Sequence, residues 1–185
     1  MEQKNVILLK TASINGLYLG LISIFLSVVI WATNLIQSLS IWGSMVIGIF
    51  SFVISFVLVL IFSFAYRKKI MEGYISFKDA FLFGIIMVVV STIISLLYTV
   101  VFNTLIDPDY TKNVMAVMQE KTISYMERMG APQAQIDKTL EKFQDVPTLW
   151  DSLRSGLLGG LIGGTIISLI TAAIVKKVPS DKIFD

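Results

Sequence analysis

The most constraining feature of this sequence is a stretch without any charged residue, which runs from Thr11 to Tyr66. A helix of about 20 residues crosses the roughly 30 Å hydrocarbon core of a bilayer, so this stretch is long enough to cross twice. Lipid cannot pair with backbone polar groups, and a helix pairs them internally. The sequence therefore predicts a membrane protein whose first two crossings come from one uncharged run.

Composition supports this class. Of the 185 residues, 55% are hydrophobic and 15% are charged, whereas soluble proteins carry about a quarter charged residues. The formal net charge of +2 is too small to suggest a nucleic-acid partner. The chain has no His and no Cys, which removes imidazole and thiolate catalysis and most zinc, haem and copper(II) sites. We expect the lipid bilayer as a partner, and no cofactor.

Polar residues mark the break inside the uncharged run. They cluster at 34–40, between Trp31 and Trp42, and Trp prefers the membrane interface. The fold class predicted is all-α integral membrane, with four transmembrane helices and one single domain over 1–185. The predicted helices are about 11–36, 41–66, 77–105 and 149–175, with a helical hairpin insert at 107–147 between the third and the fourth.

Two pairs of residues mark helix starts. Ser76 with Asp79, and Thr148 with Asp151, have the spacing of capping boxes. In this motif the hydroxyl of the first residue accepts from the backbone amide three residues later. The carboxylate of that later residue accepts from the backbone amide of the first residue. We therefore expect the third and fourth transmembrane helices to begin at these positions.

The hairpin insert contains two sets of side chains whose chemistry suits metal ions. A methionine stripe offers thioethers, which suit Cu(I), although an adaptable apolar packing face explains it better. Asp107 and Asp109 flank Pro108, but two carboxylates fall short of a calcium loop, and the end of a helix explains them better. We therefore expect no metal site. The methionines are Met115, Met118, Met126 and Met129.

Basic residues fall on one side of a four-helix up-and-down arrangement. The positive-inside rule therefore places both termini in the cytoplasm and the loop 107–147 outside, in a multi-pass protein of the cytoplasmic membrane. Four of these basic residues, Arg67, Lys68, Lys69 and Lys78, could also bind anionic headgroups, but anchoring is sufficient to explain them. The basic residues on this side are Lys4, Lys10, Arg67, Lys68, Lys69, Lys78, Lys176, Lys177 and Lys182.

Small residues form a row along the fourth predicted helix. Such rows let helix backbones approach closely in lipid. Two interpretations stay open. The row packs within one protomer, or it forms a homo-oligomeric interface or a sliding surface in a channel-like assembly. We expect the first helix to contact the fourth. The glycines are Gly156, Gly160 and Gly164 at a four-residue spacing, Gly159 and Gly163 beside them, and Gly16 and Gly20 on the first helix.

No charged residue lies in the core of a predicted span, which argues against a proton-coupled carrier. Asn15 lies deep enough to bond across helices or to face a substrate path. Asn34, Gln37 and Asn103 lie near span ends, where interfacial hydrogen bonding is their expected role. We find no catalytic constellation, so we do not expect an enzyme.

Several motifs are similar to those of a known family. They are Gly73-x-Ile75-Ser76-Phe77-Lys78-Asp79-Ala80-Phe81-x-x-Gly84, Ile106-Asp107-Pro108-Asp109-Tyr110, Met129-Gly130 with Ile136-x-x-x-Leu140, a glycine-rich last helix and the Lys176-Lys177 end. Over essentially its whole length the chain resembles domain-of-unknown-function family 4199, small bacterial membrane proteins. The resemblance implies four transmembrane helices with the long loop between the third and the fourth. It implies no activity and no functional residues.

The leading expectation is a structural or accessory envelope protein that acts through helix packing and its external hairpin. Its partner would be a second copy of the chain, as a homo-oligomer, or another envelope membrane protein. The alternative is an oligomeric transporter or channel built around the glycine-rich fourth helix.

Overall fold

Residues 2–178 are described by a computed structural model, and they are helical without a β-strand. Four helices are long and apolar enough to cross a membrane, which confirms the prediction of an all-α chain with four candidate spans. Lys182, one of the basic residues named above, lies outside the described residues. The helices are α1 (Glu2–Ala32), α2 (Leu35–Ser38), α3 (Ile41–Lys69), α4 (Phe77–Val101), α5 (Tyr110–Arg128), α6 (Gln133–Gln144) and α7 (Leu149–Val175).

The first helix begins earlier than expected. We predicted a start near residue 11, but α1 begins at Glu2 and ends at Ala32 rather than near 36. Its polar first turns have a partner, because Lys4 Nζ lies 2.7 Å from Asp79 Oδ2. At the other end Asn34 adopts a left-handed conformation with φ of 49°, which separates α1 from the single turn of α2.

Hydroxyl caps begin α4 and α7, in two different ways. Thr148 and Asp151 form the full reciprocal box, with Thr148 N donating to Asp151 Oδ2 at 2.9 Å. At α4, Ser76 Oγ accepts from Asp79 N at 3.1 Å. The Asp79 carboxylate was predicted to accept from the backbone amide of Ser76. Instead, its Oδ2 accepts from Lys4 Nζ and from the Ser76 hydroxyl.

The centre of the bundle is α4, which packs extensively on α1 and on α7. We predicted that the first membrane-spanning helix contacts the fourth, and this prediction is wrong. Instead, α1 and α7 each pack on α4, the third of the four long helices. A Cβ added at Gly16 would lie 2.6 Å from Met87 O, and one added at Gly20 would lie 3.0 Å from Ile94 Cβ. One added at Gly164 would collide with Val88 Cγ1. Both small-residue faces therefore meet α4, which is the most buried of the four spans.

One end of the bundle is packed more tightly than the other. The buried residues of the four spans lie at 8–20, 59–66, 80–92 and 164–175. Phe102 is the one exception; it is buried in the π-helical turn Phe102–Ile106, which continues α4. We call this the basic end, because it carries Arg67–Lys69 and Lys176-Lys177. The opposite end, which carries α5 and α6, is the hairpin end.

Backbone and side-chain contacts fasten the basic end together. Ile75 and Lys177 exchange two backbone hydrogen bonds of 2.9 Å each. Arg67 Nη1 donates to Val175 O at 2.8 Å, which caps one of the last carbonyls of α7. Tyr66 stacks on Phe83 with ring centroids 4.2 Å apart. The connector between α3 and α4 is therefore fixed to the end of α7.

A pair of Gly→Ala substitutions tests the packing of α7. We expect Gly164→Ala to lower the free energy of unfolding by about 1–3 kcal/mol, because the new methyl overpacks against Val88. Nothing lies within 4 Å of a Cβ at Gly159, so Gly159→Ala should be neutral or stabilise by up to about 1 kcal/mol. Unfolding in mixed detergent micelles, followed by Trp fluorescence, measures both. Equal stability of the two variants would contradict this packing.

Candidate functional site

A cleft lies between the four spans, towards the hairpin end from their buried residues. It consists of three adjoining cavities of about 280, 280 and 300 Å³, and Ser23 lines all three. We call it the hydroxyl cleft. The hydroxyl residues of its first cavity are Ser23, Ser55, Ser91, Thr92, Ser95 and Thr99.

Tight packing closes the hydroxyl cleft on the side of the basic end. Val59, Val88 and Ile167 line the first cavity and are at least nine-tenths buried. Ser91 and Thr92 also line it, and they are 8% and 9% exposed. The cleft is therefore a pocket with a floor rather than a path through the bundle.

All five glycines of α7 line the first cavity, and three of them also pack against α4. Gly156, Gly160 and Gly164 face α4, where an added Cβ at Gly160 would lie 2.7 Å from Thr92 Oγ1. Gly159 and Gly163 both line the cleft; a Cβ at Gly159 would meet nothing within 4 Å, and one at Gly163 would lie 3.7 Å from Phe52. The absence of side chains here keeps the cleft open.

The hydroxyl cleft carries hydroxyl groups on a mainly apolar lining, without a charged side chain. No Asp, Glu, Lys or Arg is among the residues that line its three cavities. Ser23, Ser55 and Thr99 donate to the carbonyl four residues earlier, at 2.9, 3.0 and 2.9 Å. Such back-bonding uses the hydroxyl proton and leaves the oxygen lone pairs free. These side chains therefore present acceptors to the cleft.

Aromatic rings close the cleft towards the hairpin. Phe102 meets the rings of Trp31, Tyr98 and Tyr110 at centroid distances of 5.6, 5.6 and 5.3 Å. The Tyr98 hydroxyl is buried without a hydrogen-bond partner, and Tyr98 lines the second cavity. Burial, together with the nearby Asp107, raises the pKa of Tyr110, so this phenol stays neutral at physiological pH.

The first hairpin helix is attached to the turn between α1 and α3. Lys121 Nζ donates to the carbonyls of Ile36 and Gln37 at 2.7 and 2.9 Å, and also to Leu39 O. It thereby pairs carbonyls at the end of α2 that have no partner within the helix. Trp31 Nε1 donates to Asp107 Oδ2 at 3.0 Å. These contacts fix α5 to the bundle, while α6 packs mainly on α5.

The polar residues singled out from the sequence lie in different places. Asn103 lines the second cavity, where it accepts from Thr111 Oγ1 at 2.8 Å, but Asn15 lines none of the three.

Of the four methionines considered as metal ligands, Met129 is 69% exposed. Among the described residues, no group of three or more Asp or Glu side chains could hold a metal ion.

Sequence reasoning missed the hydroxyl cleft. Its signal was present as Ser91, Ser95 and Thr99 at a four-residue spacing, together with Ser23 and Ser55 on neighbouring helices. Ser and Thr are ordinary in transmembrane helices because they bond to their own backbone. Only the packing distinguishes those that share one cavity.

Over residues 2–178 the chain is all-helical, and four of its helices are long and apolar enough to cross a membrane. Residues 14–177 match the model of a family described as a protein of unknown function, DUF4199, and the chain belongs to that family. The family prediction is therefore confirmed. No curated protein and no solved structure matches the chain.

A methionine substitution tests the attachment of the hairpin. Lys121→Met keeps the length of the side chain but removes its three hydrogen bonds. Hydrogen bonds to charged groups contribute about 1.5–3 kcal/mol, so amide hydrogen exchange in α5 should accelerate about ten- to hundredfold. Lys138→Met, on the exposed surface of α6, is the control and should leave exchange in α5 unchanged. Unchanged exchange in both variants would show that Lys121 does not hold the hairpin.

Proposed function

We propose that this protein is a non-enzymatic accessory protein of the bacterial cytoplasmic membrane. In this proposal both termini are cytoplasmic, and the α5–α6 hairpin lies outside and contacts another envelope membrane protein. The observation that carries the proposal is the attachment of α5 by Lys121, which holds the hairpin in a fixed orientation on the bundle. A helix pair held this way is suited to presenting a surface, since little ordering is needed on binding.

Charge supports the proposed orientation. Arg67 bonds to the end of α7, and Ile75 in the connector pairs with Lys177, so the basic segments 67–69 and 176–177 lie at one end of the bundle. The loop 107–147 lies at the other end. The positive-inside rule favours the cytoplasm for the end rich in Lys and Arg.

The free surface of the hairpin favours a binding role. Ile136 is buried, and the opposite side of α6 carries exposed polar residues, including Asp137, Lys138 and Glu141. Because α6 packs mainly on α5, this polar side is available to a partner outside the bilayer.

An oligomeric transporter or channel is the second candidate, and the hydroxyl cleft is the observation that favours it. Two features weigh against it. The cleft has a floor of buried residues, including Val59 and Ile167. The glycine row that would form the oligomer contact, with Gly160 and Gly164, already faces α4 in the same chain.

Single cysteines test the proposed orientation, because the natural chain has none. We expect Glu141→Cys, on the hairpin, to react with an impermeant maleimide in intact cells. Tyr74→Cys, exposed in the basic-end connector, should react only after the membrane is permeabilised. The reverse pattern would invert the topology and remove the external hairpin from the proposal.

The same Glu141→Cys variant tests the partner. A photo-crosslinker attached to it should yield an adduct with a different membrane protein. The matched control, Val53→Cys on an exposed apolar face of α3, should not yield that adduct. Adducts formed only between two copies of the chain, or no adduct, would contradict a role on another protein.

A further inference from the structure

The hydroxyl cleft has no part in the proposed action of the hairpin, so it requires its own explanation. Its floor lies at the level of Val88 on α4, and its aromatic end lies near Asn103. At 1.5 Å per residue these levels are about 20 Å apart along the helix. The cleft is thus long and narrow, which suits a chain-like molecule more than a compact one.

Access to the hydroxyl cleft is from the bilayer. Gly159, which lines it, is exposed, and the exposed side chains near it are apolar, with Phe52 45% and Leu158 50% exposed. The exposed Arg154 and Ser155 lie more than one helical turn from it towards the start of α7, at the hairpin end. These residues belong to helices able to span a membrane. A molecule that enters between α3 and α7 therefore comes from the surrounding lipid.

The lining determines what the polar part of that molecule can be. A charged group would find no counter-charge among the cavity residues, and an unpaired charge is costly in a low-dielectric site. Ser23, Ser55 and Thr99 have already donated their protons to the backbone, so their free lone pairs accept from a ligand. Ser91, Thr92 and Ser95 line the same cavity, and a hydroxyl can donate as well as accept. The lining therefore favours a group that both donates and accepts. An uncharged alcohol satisfies both conditions.

We propose that the hydroxyl cleft binds an uncharged, hydroxyl-bearing lipid that enters laterally from the bilayer. Its hydrocarbon chain lies along the apolar wall between α3 and α7, and its hydroxyl donates to the back-bonded Ser and Thr side chains. Gly159 and Gly163 leave the space that the chain occupies.

Photolabelling of the full chain in phosphatidylcholine vesicles tests this site. The probe is a diacylglycerol with a diazirine in its acyl chain, present at a few mole per cent. We expect adducts on the cleft-lining segments 19–27 and 88–99, and competition by unlabelled diacylglycerol. Labelling spread evenly over the lipid-exposed faces of the spans would overturn the proposal.

A matched pair of variants locates the site. Gly159→Leu fills the cleft without meeting protein atoms near its Cβ, and it should remove most of the competed labelling. Gly48→Leu is the same change at an exposed position of α3, also with nothing within 4 Å of its Cβ, and labelling should persist. Equal labelling of the two variants would contradict a site in the cleft.

A second probe tests the hydroxyl on the unaltered protein, where folding is not in question. Acetylating the free hydroxyl of the diacylglycerol removes the donor but keeps both chains. Loss of one net hydrogen bond corresponds to about a three- to tenfold weaker competed labelling. Equal labelling by the alcohol and the acetate would show that the cleft does not recognise the hydroxyl.

Discussion

The close approach of α7 to α4 is the contact on which the other features of the bundle depend. In lipid, helices gain little from hydrophobic burial, so backbones must come close enough for dispersion and weak hydrogen bonds. Gly164 allows this at Val88, and Gly84 allows it from the other helix, where an added Cβ would lie 2.9 Å from Ser168 Oγ. Because α1 meets α4 through Gly16 in the same way, α4 becomes the centre of the bundle.

This packing is uneven along the axis of the bundle, and the unevenness creates the candidate sites. The basic end is closed by buried side chains and by the Ile75–Lys177 backbone bridge. Towards the hairpin end the described spans bury little besides Phe102, and hydroxyl groups line a cavity there. Lys121 attaches α5 at that same end. The proposed partner surface and the proposed lipid site therefore both lie towards the looser end of the bundle.

The sequence predicted local features better than spatial ones. Runs without charge predicted four helices able to span a membrane, because that inference needs only length and hydropathy. We predicted that α1 contacts α7 because both carry small residues, yet both pack on α4. A row of small residues shows that a helix can pack closely, but it does not show against which helix. The role of Lys121 was equally hidden, because its acceptors lie more than 80 residues away in the chain.

Disulfide formation between α4 and α7 tests the central claim most directly. A Cβ at Gly160 would lie 3.4 Å from Thr92 Cβ, close to the separation of a disulfide, so the double variant T92C/G160C should form an intramolecular bridge on mild oxidation. The neighbouring pair T92C/G159C should remain reduced. Bridging by the second pair, or dimers linked through G160C alone, would contradict the packing of the glycine row on α4 within one chain.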